Sequence, residues 1–129
     1  MSYDIAAFDV RVAPREPDEF VGWYEDVMDD ETEPGGVDPS SALGRWCALM
    51  QNEFPDGGGD DDGGPAADYS SSYPALVYVA GGWGDAEEIR AASLRYARSE
   101  AVGVFALSDD VPALWWPDGS GGLELIHEF

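Results

Sequence analysis

The chain has 129 residues, with 27 acidic against 6 basic side chains and a net charge of -21 at pH 7. Every basic residue is an arginine, and none of the six stands in a cluster of the kind that phosphate backbones require, so direct nucleic-acid binding and adhesion to anionic membranes are not expected. The 44% hydrophobic and 12% aromatic content is enough for one packed domain spanning residues 1–129, so the acidity does not imply general disorder.

Residues 3–12 read as a first strand. Tyr3, Ile5 and Ala7, then Phe8, Val10 and Val12, alternate with Asp4, Ala6, Asp9 and Arg11, which predicts a polar face and an apolar one. The segment 1–10 lacks a basic leader region, so no signal peptide is expected, and a cytoplasmic location follows as the simplest reading. Pro17 opens a predicted helix to about Asp30. Phe20, Trp23, Tyr24, Val27 and Met28 fall on one side of it, with Asp18 and Glu19 at the positive end of its dipole.

A second helix is expected from Asp38–Pro39, as N-cap and first turn, to Phe54. Its apolar stripe is Leu43, Trp46, Cys47, Met50 and Phe54. Residues 55–72 are rich in Gly, Asp and Ser and read as a flexible loop. Residues 75–80, Ala-Leu-Val-Tyr-Val-Ala, read as a central strand covered on both faces. The Gly81-Gly82-Trp83-Gly84 turn leads to a third helix, with Asp85 and Glu88 in capping-box spacing and Ile89, Ala92, Tyr96 and Ala97 inward.

Residues 102–107 form another buried strand. If it shares a sheet with 75–80, the helix between them makes a parallel crossover. Residues 114–126 form a hairpin turning at Asp118-Gly119. The order is β-α-α-β-α-β-β, which describes a single α/β or α+β domain with a mixed sheet and about three helices.

No segment carries a catalytic signature. Asp60-Asp61-Asp62 fails the ligand spacing of a calcium loop, so no metal or other cofactor is expected. Cys47 lies in an apolar stripe and His127 near the last residue, and no third group is apparent to orient them as nucleophile and base. The glycine turn at 81–84 runs into Asp85, whose carboxylate would repel a phosphate. Pairs such as Glu87-Glu88, Asp109-Asp110 and Asp29-Asp30-Glu31 are too common in so acidic a chain to mark general acid–base chemistry.

The acid is uneven. Residues 1–68 carry a balance of -15 and residues 69–129 one of -6. A basic protein partner fits such a field, because complementary charge speeds encounter. The candidate interface residues are Asp29, Asp30, Glu31 and Glu33, supported by Asp60, Asp61 and Asp62, with Trp83 or Trp116 as apolar anchor.

Two stretches carry a resemblance. One is Ser2-Tyr3-Asp4-Ile5-Ala6-Ala7-Phe8-Asp9. The other is Pro74-Ala75-Leu76-Val77-Tyr78-Val79 with Trp83, then Ala86-Glu87-Glu88 and a helix into Val102-Gly103-Val104-Phe105. Together they resemble small acidic actinobacterial proteins that serve as immunity or accessory partners beside polymorphic toxins. The resemblance implies a non-enzymatic, monomeric or dimeric inhibitor that blocks the substrate cleft of a cationic toxin domain. Two alternatives remain open from the residues: a small carboxylate-dependent hydrolase, and a self-associating structural or regulatory protein with Trp115-Trp116 as its seam.

Overall fold

The computed structural model describes residues 3–29, 40–54, 67–73, 76–108 and 111–128. One sheet organises them, with strands β1 (Tyr3–Phe8), β2 (Ala67–Tyr73), β3 (Leu76–Gly81), β4 (Gly103–Ala106), β5 (Ala113–Pro117) and β6 (Leu123–Glu128). Their spatial order is β2-β3-β1-β4-β5-β6. Helices α2 (Ala42–Glu53) and α3 (Ala86–Glu100) cover one face, and α1 (Pro17–Asp29) packs on the other. This is an α/β domain with three helices in the expected order, plus one strand.

Three features of the sheet differ from expectation. Every bonded pair is antiparallel, so the sheet is not mixed. β3 and β4 do run parallel across the α3 connection, but β1 lies between them, antiparallel to both. Second, residues 67–72 belong to β2 and not to a loop; their serines and aspartate hid a strand that pairs with β3 from Ala67↔Gly81 to Tyr73↔Leu76. The rest of the expected loop, 55–66, lies outside the described residues. Third, β1 has no polar face. Ile5, Ala6, Ala7 and Phe8 are all fully buried, because helices cover both sides of this central strand.

β1 also stops earlier than its alternation suggests. The Asp9 carboxylate accepts from the Arg11 backbone N–H (2.9 Å) and from the Arg11 guanidinium (2.8 Å). That local bonding offers the backbone a turn in place of a ladder. The guanidinium hydrogen bond holds the Asp9 carboxyl below its ordinary pKa.

Two cores result. Toward α2 and α3, Ile5, Ala7, Val77, Val79 and Val104 meet Leu43, Trp46, Met50, Ile89 and Ala97. Trp46 donates its indole N–H to the Ser93 carbonyl at 3.0 Å, tying α2 to α3. Toward α1 the core is aromatic. Phe8 meets Phe20 at 4.8 Å and Trp116 at 5.3 Å between ring centroids, and Phe105 meets Phe20 at 5.3 Å and Tyr24 at 5.0 Å. The Phe8 ring lies over Gly103, its cross-strand partner.

The helix ends show where local signals compete. α2 is capped by Ser41, whose hydroxyl accepts from the Gly44 N–H at 3.0 Å; Asp38 and Pro39 lie outside the described residues. The Asp85 side chain makes no cap hydrogen bond, so the expected capping box with Glu88 does not form. A 3-10 turn, Trp83–Asp85, precedes α3 and leaves Asp85 at φ -107°, ψ 7°, outside the extended geometry of a capping residue. α3 closes through Ala101 at φ 58°, in the left-handed region, with the Val102 N–H bonded to the Ala97 carbonyl. Glycine adopts that conformation without the Cβ clash. Ala101→Gly should therefore stabilise the protein by about 1 kcal/mol, read as a raised urea midpoint at unchanged slope.

At the far end, Asp118 turns the hairpin as expected. Its Oδ1 accepts from the Ser120 N–H (2.8 Å) and the Gly122 N–H (3.1 Å), with Gly119 and Gly121 at positive φ. These N–H bonds lower the Asp118 pKa. Trp115 and Trp116 project to opposite faces of β5, into the first and second cores respectively.

Candidate partner interface

The outer side of α1 is the clearest charged surface. Its inner side is Phe20, Trp23, Tyr24 and Val27, which fixes the rotation of the helix on the sheet. Asp18, Gly22, Glu25 and Asp26 then recur at i, i+4, i+7 and i+8 and are all exposed. Glu19 is exposed beside them. The helix contains no basic residue. Asp26 lies near its C-terminal end, where the helix dipole disfavours a carboxylate. A surface arranged for stability alone would carry cations there.

The arginines do not offset this ridge. Arg11 pairs with Asp9 (2.8 Å), Arg45 with Glu100 (2.6 Å), Arg95 with Glu53 (2.9 Å) and Arg15 with Glu124. Each of these cations is matched by a carboxylate away from α1. Arg15 also lies 5.8 Å from the Trp116 ring centroid, at the mouth of the aromatic core. All four pairs are exposed and contribute little to stability.

Beneath α1 lies a small titratable cluster. Burial raises the Tyr24 pKa to about 12, helped by the negative Asp4 nearby. Burial and a hydrogen bond to Asp4 push Tyr78 up as well. Both phenols stay protonated in the fold at a pH where the unfolded chain ionises. For Tyr24 the stabilising effect is thus complete below about pH 10 and falls as pH rises toward its folded value of about 12. Tyr24→Phe should shift the alkaline unfolding midpoint upward, followed by tyrosinate absorbance alongside circular dichroism; an unmoved midpoint would remove Tyr24 from this role.

A second surface lies on the opposite face. Between the N-terminal part of α3 and the strands β5 and β6 lies a cleft of about 460 Å³. Trp115, Val111 and Leu125 line it, with Val111 47% and Leu125 42% exposed. Glu87 from α3 and Glu128 from β6 also line it, as does Arg90, which is already engaged within the chain. The Trp115 indole N–H is buried and has no acceptor among the described residues.

The residues expected at the interface fall unevenly. Asp29 is the last residue of α1, continuing its acidic ridge in sequence, and Trp83 opens the 3-10 turn. Asp30, Glu31, Glu33, Asp60, Asp61 and Asp62 lie outside the described residues. Trp116 is only 8% exposed, packed on Phe8, so its ring is part of the core and does not serve as a surface anchor. With Trp116 inward and Trp115 half-buried, the pair does not form an exposed seam. From sequence, Asp18 and Glu19 stand out only for their place at the helix dipole and Glu25 and Asp26 not at all, although all four are the complement of the apolar stripe.

Cys47 packs against the core on the α2–α3 side, while His127 is exposed opposite Leu114, which faces α1; the sheet separates them. Among the described residues no group of three metal-ligating side chains comes together. Nor is any described helix long and apolar enough to cross a membrane. No family model, curated protein or solved structure matches the chain.

Proposed function

We propose that this chain is a cytoplasmic acidic binding protein that neutralises a cationic protein, of the kind a toxin domain with a basic substrate cleft presents. The observation that carries this reading is the base-free ridge of α1, in which exposed Asp18, Glu25 and Asp26 share one stripe on a chain of net charge -21. Asp26 lies near the negative end of the helix dipole, and a chain of this net charge repels itself, so a positive partner relieves both. The mechanism is occlusion. The field steers the acidic surface onto a cleft that otherwise holds an anionic substrate, and carboxylates pair with the Lys and Arg that line it.

Affinity capture from a lysate of the encoding organism, at low and high salt, tests this reading. The expected result is one basic protein held at low salt, released at high salt, and inhibited when the purified chain is added back. Retention of no basic protein at low salt, or retention without inhibition, would refute it.

A further inference from the structure

We infer that the cleft between α3 and the strands β5 and β6 docks an extended, basic segment of the partner, which adds to the sheet at the outer edge of β6. The inference rests on the reading above that the partner is cationic. Four observations converge on this place. Among the described residues β6 is the last strand of the sheet and none of them pairs with its outer backbone, so that side can take a further strand. The cleft beside it is lined by Trp115 with the exposed Leu125 and Val111, enough to seat one aliphatic side chain. Its acidic lining residues, Glu87 and Glu128, can take cationic neighbours on either side of that anchor. Finally, β6 reads Leu-Glu-Leu-Ile-His-Glu, without the lysine or proline that commonly guards an edge.

The guard on β6 is instead carboxylate, and that decides the occupant. Acidic residues on an edge repel an acidic strand and admit a basic one. A second copy of this chain is disfavoured for the same reason, since pairing β6 with β6 would bring together two molecules of charge -21. Because side chains alternate across a strand, the segment that fits has an apolar residue facing Leu125 and arginine or lysine two positions to either side of it, on the same face as Glu87 and Glu128. The steering ridge on α1 and this cleft lie on opposite faces of the sheet, so they divide the work: α1 governs encounter, and the cleft governs residence.

The test uses a synthetic peptide with an arginine two positions to either side of a central isoleucine and serine between them, with amide chemical-shift mapping of the isotope-labelled protein at low salt. Shifts should concentrate on Leu123–Glu128 and residues 86–90. The β6 amides should gain protection from hydrogen exchange. Leu125→Asp should weaken binding by about tenfold or more although it adds a negative charge, because it removes an apolar contact. Leu125 is exposed, so the variant should fold, and an unchanged unbound spectrum elsewhere confirms that. Shifts confined to the α1 ridge would overturn the cleft assignment and leave the acidic-inhibitor reading intact. Absence of binding at low salt would overturn the cleft assignment, whereas the acidic-inhibitor reading falls only with the capture experiment. Concentration-dependent dimerisation that protects β6 without peptide would assign the edge to a second copy and overturn the inference.

Discussion

Gly103→Ala should destabilise the protein by roughly 3 kcal/mol, at the upper end of what overpacking costs. The reason is local and geometric. A Cβ built on Gly103 clashes with the edge atoms of the Phe8 ring, which covers this glycine from the neighbouring strand. The ring cannot step aside freely. Phe20 stands 4.8 Å from it, Trp116 5.3 Å and Trp23 6.3 Å, centroid to centroid. Urea denaturation of three variants decides the matter. Phe8→Leu alone should destabilise by leaving a gap, and Gly103→Ala alone by the clash. The double variant should cost clearly less than the two together, with a coupling of about 1 kcal/mol or more, because the smaller side chain makes room for the methyl. Additive losses would show that the clash is not with Phe8.

The second large effect concerns association. Replacing Asp18, Glu25 and Asp26 together by lysine should slow encounter with the basic partner recovered by capture, by about tenfold or more at low salt. The gap between variant and parent should narrow as salt rises, since screening shortens the reach of surface charge to about 10 Å near 0.1 M. The dissociation rate should change less than the association rate, because exposed charges act mainly on encounter. Stability supplies the internal control. α1 carries no base in its last turn, so a lysine at position 26 faces the negative end of the dipole and relieves neighbouring repulsion. A lysine at position 18, in the first turn, loses a favourable interaction with the positive end of the dipole, so the two changes oppose each other and the net stability should stay within about 1 kcal/mol of the parent. A slower association in a protein of near-parental stability separates a functional role from a folding defect. Equal association rates at low salt would remove the α1 ridge from the mechanism.

Much of the architecture was legible in the sequence because the apolar spacing is regular. The stripe Phe20, Trp23, Tyr24, Val27 identified α1 and, by complement, fixed its acidic outer side. The run 75–80 and the Asp118-Gly119 turn identified β3 and the final hairpin. β2 was hidden, since Ala-Asp-Tyr-Ser-Ser-Ser-Tyr has little apolar content and takes its strand geometry from pairing along β3. The cleft was hidden for another reason. Val111, Leu125 and Glu87 are far apart in the chain and ordinary singly, and only the packing of α3 beside β5 and β6 brings them together.

By itself, the sequence determined the charge, the class of fold, the three helices with their buried sides, and the absence of a recognisable catalytic signature. Each of these depends on composition or on a repeat within a few residues. The tertiary structure decided that β1 is central and covered on both sides. It decided that Trp116 faces inward over Phe8 while Trp115 lines an open cleft, and that Gly103 must lack a side chain. These outcomes depend on strand order, which is set by whichever pairing buries the most apolar surface across the whole chain. No local pattern encodes that sum, so the interfaces it creates appear only once the sheet is assembled.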